Sequence, residues 1–140
     1  MLRVVLDTNV LVSATISNGK SRELLRKGIE NQFSIITSDL ILNELETALR
    51  RPKFKTSKDE IDRIILALTL SSEVIDVKSK FQAVKEDRKD DMIINTAFDG
   101  RVDIIVTGDR HLLELENFKG IKIITIESML KLLHKSASEE

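Results

Sequence analysis

Four acidic positions stand where this chain could do chemistry together: Asp7, Glu44, one of the adjacent pair Asp90 and Asp91, and Asp109. Two carboxylates ~4 Å apart repel by about 4 kcal/mol at an effective dielectric near 20, so a cluster of four needs a cation or shared protons. There is no cysteine, and the two histidines, His111 and His134, lie far apart without metal-ligand spacing. An all-oxygen set of this kind suits Mg²⁺ or Mn²⁺ rather than Zn²⁺.

Each acid also has an ordinary structural reading. Asp7 follows the apolar run Val4-Val5-Leu6 and precedes Thr8-Asn9, where it can serve equally as a helix cap or a ligand. Projecting residues 39–49 at ~100° per residue places Ile41, Leu42, Leu45, Ala48 and Leu49 on one apolar arc. Glu44 falls at the edge of that arc. A carboxylate there must be paired, protonated or bound to a cation, and the cation is the favoured reading. Asp90 and Asp91 open a helix, where capping and the helix dipole both favour acids, and periodicity leaves their roles open. Asp109 lies in the turn Thr107-Gly108-Asp109-Arg110 and can cap the helix that follows. Asp87, Asp99 and Asp103 read as turn or boundary residues, and the two histidines as surface or boundary residues.

The elements that must position these acids alternate. Apolar runs at 2–6, 34–37, 73–77, 103–107 and 122–126 read as strands. Helical patterns fall around 22–29, 39–49, from Ser57 or Asp59 to about Leu70, 90–99, 111–115 and 128–134. Arg51-Pro52 should close the second of these helices, because the residue before proline is pushed away from helical angles. Strands that are nearly apolar throughout, alternating with helices, indicate a parallel sheet covered on both faces, an α/β three-layer sandwich. Ligands of such sheets gather outside the carboxyl ends of the strands, which is where Asp7 and Asp109 fall.

The 140 residues fit one domain, taken as 1–134 with a polar, disordered tail at 135–140. The chain is 41% hydrophobic and 32% charged, enough for a core without staples. It shows no signal-peptide layout and no apolar run long enough for a bilayer, and its lack of cysteine is compatible with a reducing, cytoplasmic setting. Net charge is −1, but Arg50, Arg51, Lys53, Lys55 and Lys58 crowd one segment, and Lys78, Lys80, Lys85, Arg88 and Lys89 form a looser group. Either is a solvated charged surface or, beside an acidic cleft, a phosphate contact.

Four segments, in order, resemble the PIN domain, the nuclease fold of VapC-type toxins of prokaryotic toxin–antitoxin pairs: Val4 to Leu11, Ser38 through Glu44 to Leu49, Asp90-Asp91 through Ala97, and Ile105 to Asp109. Ser38 to Phe54 also resembles a branch of toxin components. The resemblance implies about five parallel strands in the order 3-2-1-4-5. It implies a metal-binding and catalytic set of Asp7, Glu44, Asp91 and Asp109, with Asn9 and Thr107 supporting them. Asp91 is preferred to Asp90 through its 18-residue spacing to Asp109; Arg88-Lys89 departs from that branch's pattern and leaves Asp90 as a substitute ligand. It further implies Mg²⁺- or Mn²⁺-dependent hydrolysis of RNA, a homodimer and a partner antitoxin.

In that setting Arg50, Arg51, Lys53 and Lys55 would grip RNA phosphates, while the absence of Trp and Tyr argues against base-stacking platforms. The rival readings are a non-catalytic PIN domain that binds RNA or protein, and an aspartyl phosphoryl-transfer domain. The second fits poorly: Asn9 stands where a dehalogenase-like site wants an aspartate, and Thr107 is followed by Gly108-Asp109 where a receiver domain wants a lysine.

Overall fold

The computed structural model describes residues 1–84 and 88–138. Lys85 and Asp87, the side chain of Arg88 and the last two residues of the expected tail lie outside the described part. Arg3–Leu6 (β1) is the central strand. It pairs in parallel with Ser34–Ser38 (β2) on one side and Ile104–Val106 (β4) on the other. Ser72–Ile75 (β3) extends the sheet beyond β2, and Ile121–Ile124 (β6) extends it beyond β4, both in parallel. Asn117–Phe118 (β5) adds a short antiparallel edge, giving the order β3-β2-β1-β4-β6-β5. The five parallel strands thus follow the expected 3-2-1-4-5 order. Val4, Val5, Ile36, Ile105 and Val106 are each 0% exposed, as strands covered on both faces require.

The helices flanking the sheet are Thr8–Ile16 (α1), Lys20–Ile29 (α2), Asp39–Leu49 (α3), Lys58–Ser71 (α4), Arg88–Asp99 (α5), Arg110–Glu114 (α6) and Ile126–Ser138 (α7). Pro52–Phe54 forms a 3-10 turn directly after α3, as the Arg51-Pro52 step dictates. None of the described helices is long and apolar enough to cross a membrane. Gly28 marks a close helix–sheet approach. A Cβ there would stand 2.7 Å from Ile35 Cδ1 and 2.8 Å from Phe33 Cζ, so α2 lies close on β2 only with glycine.

Three elements depart from expectation. The helix α1 was not anticipated, because Val10-Leu11-Val12 is a continuous apolar run and the exposed face is narrow, made of Asn9 and Ile16 with half-buried Ser13. A two-residue turn, Lys119-Gly120, with φ of +48° and +88°, folds β5 back onto β6. The last helix begins at Ile126 and runs through Ser138, into the segment expected to be a disordered tail. Met129 and Leu133, 0% and 7% exposed, anchor it.

Candidate functional site

The ladder of the sheet continues past the strand ends and carries two site residues with it. The Asp7 N–H donates to Val106 O at 3.0 Å, and the Thr107 N–H to Ile124 O at 3.0 Å. Side by side, Thr107 Oγ1 lies 2.6 Å from Asp7 Oδ2. The Asp109 N–H donates to the same Thr107 hydroxyl at 2.9 Å, so the hydroxyl proton is directed onto the Asp7 carboxylate. Asp109 caps α6, its Oδ1 accepting from the His111 and Leu112 N–H groups at 2.7 and 3.3 Å. Its Oδ2 has no hydrogen bond among the described residues. Burial pushes the Asp7 carboxyl above its ordinary value. The Thr107 hydroxyl and the Asn9 and Thr8 amides pull it back, and the charge of Asp109 pushes it up again.

On α3, the five apolar arc residues are all buried and Glu44 is half-buried, as projection required. Ser38 caps this helix, accepting from the Ile41 N–H at 3.4 Å, and its hydroxyl also bonds Thr96 Oγ1 of α5 at 2.8 Å. The helix carrying Glu44 and the helix carrying Asp90 are therefore tied by a buried hydroxyl pair.

A cleft of about 260 Å³ opens at the carboxyl ends of the strands, lined by Asp7, Thr8, Asn9, Glu44, Arg51, Lys89, Asp90, Ile93 and Asp109. It gathers Asp7, Glu44 and Asp109 as expected, but Asp90 in place of Asp91. Asp91 accepts from the Val84 N–H through Oδ1 at 2.8 Å and is absent from the cleft wall. Neighbours on a helix point ~100° apart, so only one of the pair can face the acids. Asn9 lines the cleft and is exposed, while Thr107 acts on it through Asp7. Of the basic tract, Arg51 alone lines the cleft. Arg50 pairs with Glu46 at 2.5 Å, Lys53 lies over the Phe54 ring at 5.1 Å, and Lys55 is exposed in a left-handed turn. Lys89, beside Asp90, is a lining cation that the tract did not include. Its position just before the acidic pair was the available signal.

Among the described residues, no three His, Cys, Asp or Glu side chains are gathered closely enough to form a ready-made metal cage. The donor chemistry nevertheless fits a hard cation. Every ionisable acid lining the cleft is a carboxylate, and Asp7 is buried beside a second negative charge. Mg²⁺ is commonly held by one or two carboxylates, waters and substrate phosphate rather than by a complete protein cage.

A second, mostly apolar cavity of about 340 Å³ lies between α1, α2 and α4, lined by Leu11, Leu25, Ile29, Ile64 and Leu68 among others, with Arg22 and Arg26 exposed in its wall.

Solved structures share this fold at low identity. PAE2754 from Pyrobaculum aerophilum is 19% identical, with a TM-score of 0.67 over 96% of this chain and 90% of that one. VapBC2 from Rickettsia felis, bound to a DNA fragment from their promoter, is 19% identical, with a TM-score of 0.61 over 89% of this chain and 98% of that one. No curated protein matches the sequence. A PIN domain family model matches residues 3–111. With well over half its length covered by that model, and with the strand order that sets Asp7 beside Asp109, this chain belongs to the PIN domain family.

Proposed function

We propose that this protein is a divalent-metal-dependent endoribonuclease that hydrolyses RNA phosphodiester bonds, and that it serves as the toxin of a toxin–antitoxin pair. The observation that carries the reading is the single cleft lined by Asp7, Glu44, Asp90 and Asp109 together with Arg51 and Lys89. Acids without cations would repel RNA, and cations without acids would bind it without cutting. Asp7 and Asp109 would hold Mg²⁺ or Mn²⁺, with Glu44 and Asp90 acting directly or through bound water, and the ion would supply Lewis acidity and lower the pKa of that water. Thr107 keeps Asp7 oriented, and Arg51 and Lys89 bring opposite charge to the phosphates of the strand. A carboxylate of the cleft orients the attacking water, since no separate histidine base lines it.

The proposal includes a cytoplasmic homodimer and an antitoxin partner. For the partner, the support is the similarity to VapBC2 and the apolar cavity bearing Arg22 and Arg26, which suits an apolar segment with acidic flanks. The test is to incubate single-stranded RNA with the protein and Mg²⁺ or Mn²⁺, beside a chelator and Asp7→Asn. Cleavage lost in both controls supports the enzyme. RNA bound but never cut favours the alternative, a non-catalytic PIN domain acting as a binding module.

A further inference from the structure

From residue 76 to residue 84 the chain runs without helix or strand, and its main chain is gripped from one side. Asp99 Oδ2 accepts from the Lys78 and Ser79 N–H groups at 2.6 and 2.8 Å. Asn95 Oδ1 accepts from the Phe81 N–H at 2.8 Å while its Nδ2 donates to Phe81 O at 3.2 Å. Asp91 Oδ1 takes the Val84 N–H at 2.8 Å. Residues at i, i+4 and i+8 share one helix face, so Asp91, Asn95 and Asp99 form a stripe along α5. Residues 78–84 run antiparallel to α5, from its end toward its first turn. Phe81 is packed edge-on between Phe98 at 4.8 Å and Phe118 at 5.3 Å, and Val84 is 2% exposed.

We propose that Asp91, Asn95 and Asp99 are positioning residues, which clamp residues 78–84 along α5 and thereby hold Lys89 and Asp90 at the cleft. The inference rests on the reading of that cleft as a metal-dependent nuclease centre. The later turns of α5 are anchored by Ile93, Ile94 and Ala97, at 1%, 0% and 0% exposure. The first turn, Arg88-Lys89-Asp90-Asp91, contributes no apolar side chain to the core. Its attachment to the neighbouring chain through Asp91 and Val84 is a direct tie that resists rotation or fraying just where Asp90 must point. The clamp also satisfies four main-chain N–H groups that regular structure does not. This accounts for two adjacent, buried aspartates doing different work: Asp90 faces the cleft and Asp91 faces the clamped chain.

The experiment compares wild type, Asp91→Ala, Asp91→Asn and Asn95→Ala by Mn²⁺ affinity (calorimetry), by kcat and KM for RNA, and by amide exchange at Phe81 and Val84. Circular dichroism checks that each variant folds. Loss of a group that orients a ligand typically weakens metal binding or activity ~10–100-fold. Asp91→Ala should do so, lowering kcat with little change in KM, and should speed exchange at Val84. Asp91→Asn retains the accepting oxygen and should recover most of each loss. Asn95→Ala, one turn further from the cleft, should show a smaller effect in the same direction and stands in if Asp91→Ala does not fold. An Asp91→Asn variant as damaged as Asp91→Ala overturns the proposal, because Asp91 would then act through its charge. So does faster exchange with wild-type Mn²⁺ affinity and kcat. If wild type binds Mn²⁺ but cuts no RNA, the nuclease reading fails while affinity and exchange still decide the clamp. Wild type that binds no Mn²⁺ overturns both.

Discussion

Replacing Ser38 by alanine should destabilise the protein by more than its own hydrogen bonds explain, and a double-mutant cycle with Thr96 should show why. Ser38 and Thr96 are 1% and 0% exposed, and their hydroxyls meet at 2.8 Å. Ser38→Ala removes the cap of α3, usually about 1 kcal/mol and here nearer the low end of ~0.5–2 because the bond to Ile41 is 3.4 Å long. It also strands the Thr96 hydroxyl in the core, a further ~1–3 kcal/mol. The expected loss is about 2–3 kcal/mol. Thr96→Val alone costs about 1 kcal/mol, since Ser38 still accepts from Ile41. The double variant leaves no orphan and should cost only about 1–1.5 kcal/mol, a coupling of roughly 1.5–3 kcal/mol between the sites. Denaturant unfolding must be followed by far-ultraviolet circular dichroism, because the chain has no Trp or Tyr to fluoresce. A chelator keeps metal binding out of the measured stability. Additive losses, or a Ser38→Ala cost below about 0.5 kcal/mol, would show that α3 and α5 are not held together by this pair.

Asp7→Asn should separate stability from activity. The folded-state pKa of Asp7 lies above its unfolded value of 3.8, so the native state holds that proton more tightly. Its contribution is therefore most favourable below pH 3.8, falls as pH rises through the folded value, and leaves a burdensome buried charge at neutral pH. Metal-free Asp7→Asn should accordingly melt higher than wild type at pH 7 while RNA cleavage falls more than ~100-fold; a lower melting temperature would contradict the account. Arg51→Ala should raise KM for RNA and reduce the magnitude of the salt slope of binding by about 0.7–1, whereas Arg50→Ala, whose guanidinium is occupied by Glu46, should change either far less. Gly28→Ala should destabilise the fold by ~1–3 kcal/mol in thermal melts through contact with Ile35 and Phe33, without altering Mn²⁺ affinity per folded molecule.

The parts of the site that could be read without coordinates were those fixed by strand ends and helix faces. Asp7 and Asp109 follow short apolar runs that, in alternation with helices, read as parallel strands, and Glu44 sits at a calculable angle from Leu45 and Ala48. The choice between Asp90 and Asp91 was not legible, since both are buried and what distinguishes them is a tertiary neighbour. That neighbour alternates exposed Lys78, Lys80 and Gln82 with half-buried Ser79, Phe81 and Ala83, a period of two that suits a strand edge and does not announce a chain lying along α5. The helix α1 escaped for a related reason: Val10-Leu11-Val12 is a short continuous apolar run, which reads as easily as a strand. The basic tract was visible as a cluster, but which cation reaches the acids depends on the turn at Pro52.

The two borders of the sheet bear on how copies of this molecule can meet. At one border the hairpin turn at Lys119-Gly120 ends the pairing with a strand of only two residues. At the other, β3 has four residues, with Glu73 paired to Arg3 at 2.7 Å and the next charged residue, Asp76, to Lys78 at 4.0 Å. A second chain trying to extend the sheet would find too few amides at the first border and a short strand flanked by charged ion pairs at the second. Runaway strand-on-strand stacking, the usual hazard of a sheet rich in Val and Ile, is thus blunted at both ends. A specific assembly of this protein is left to its helical flanks.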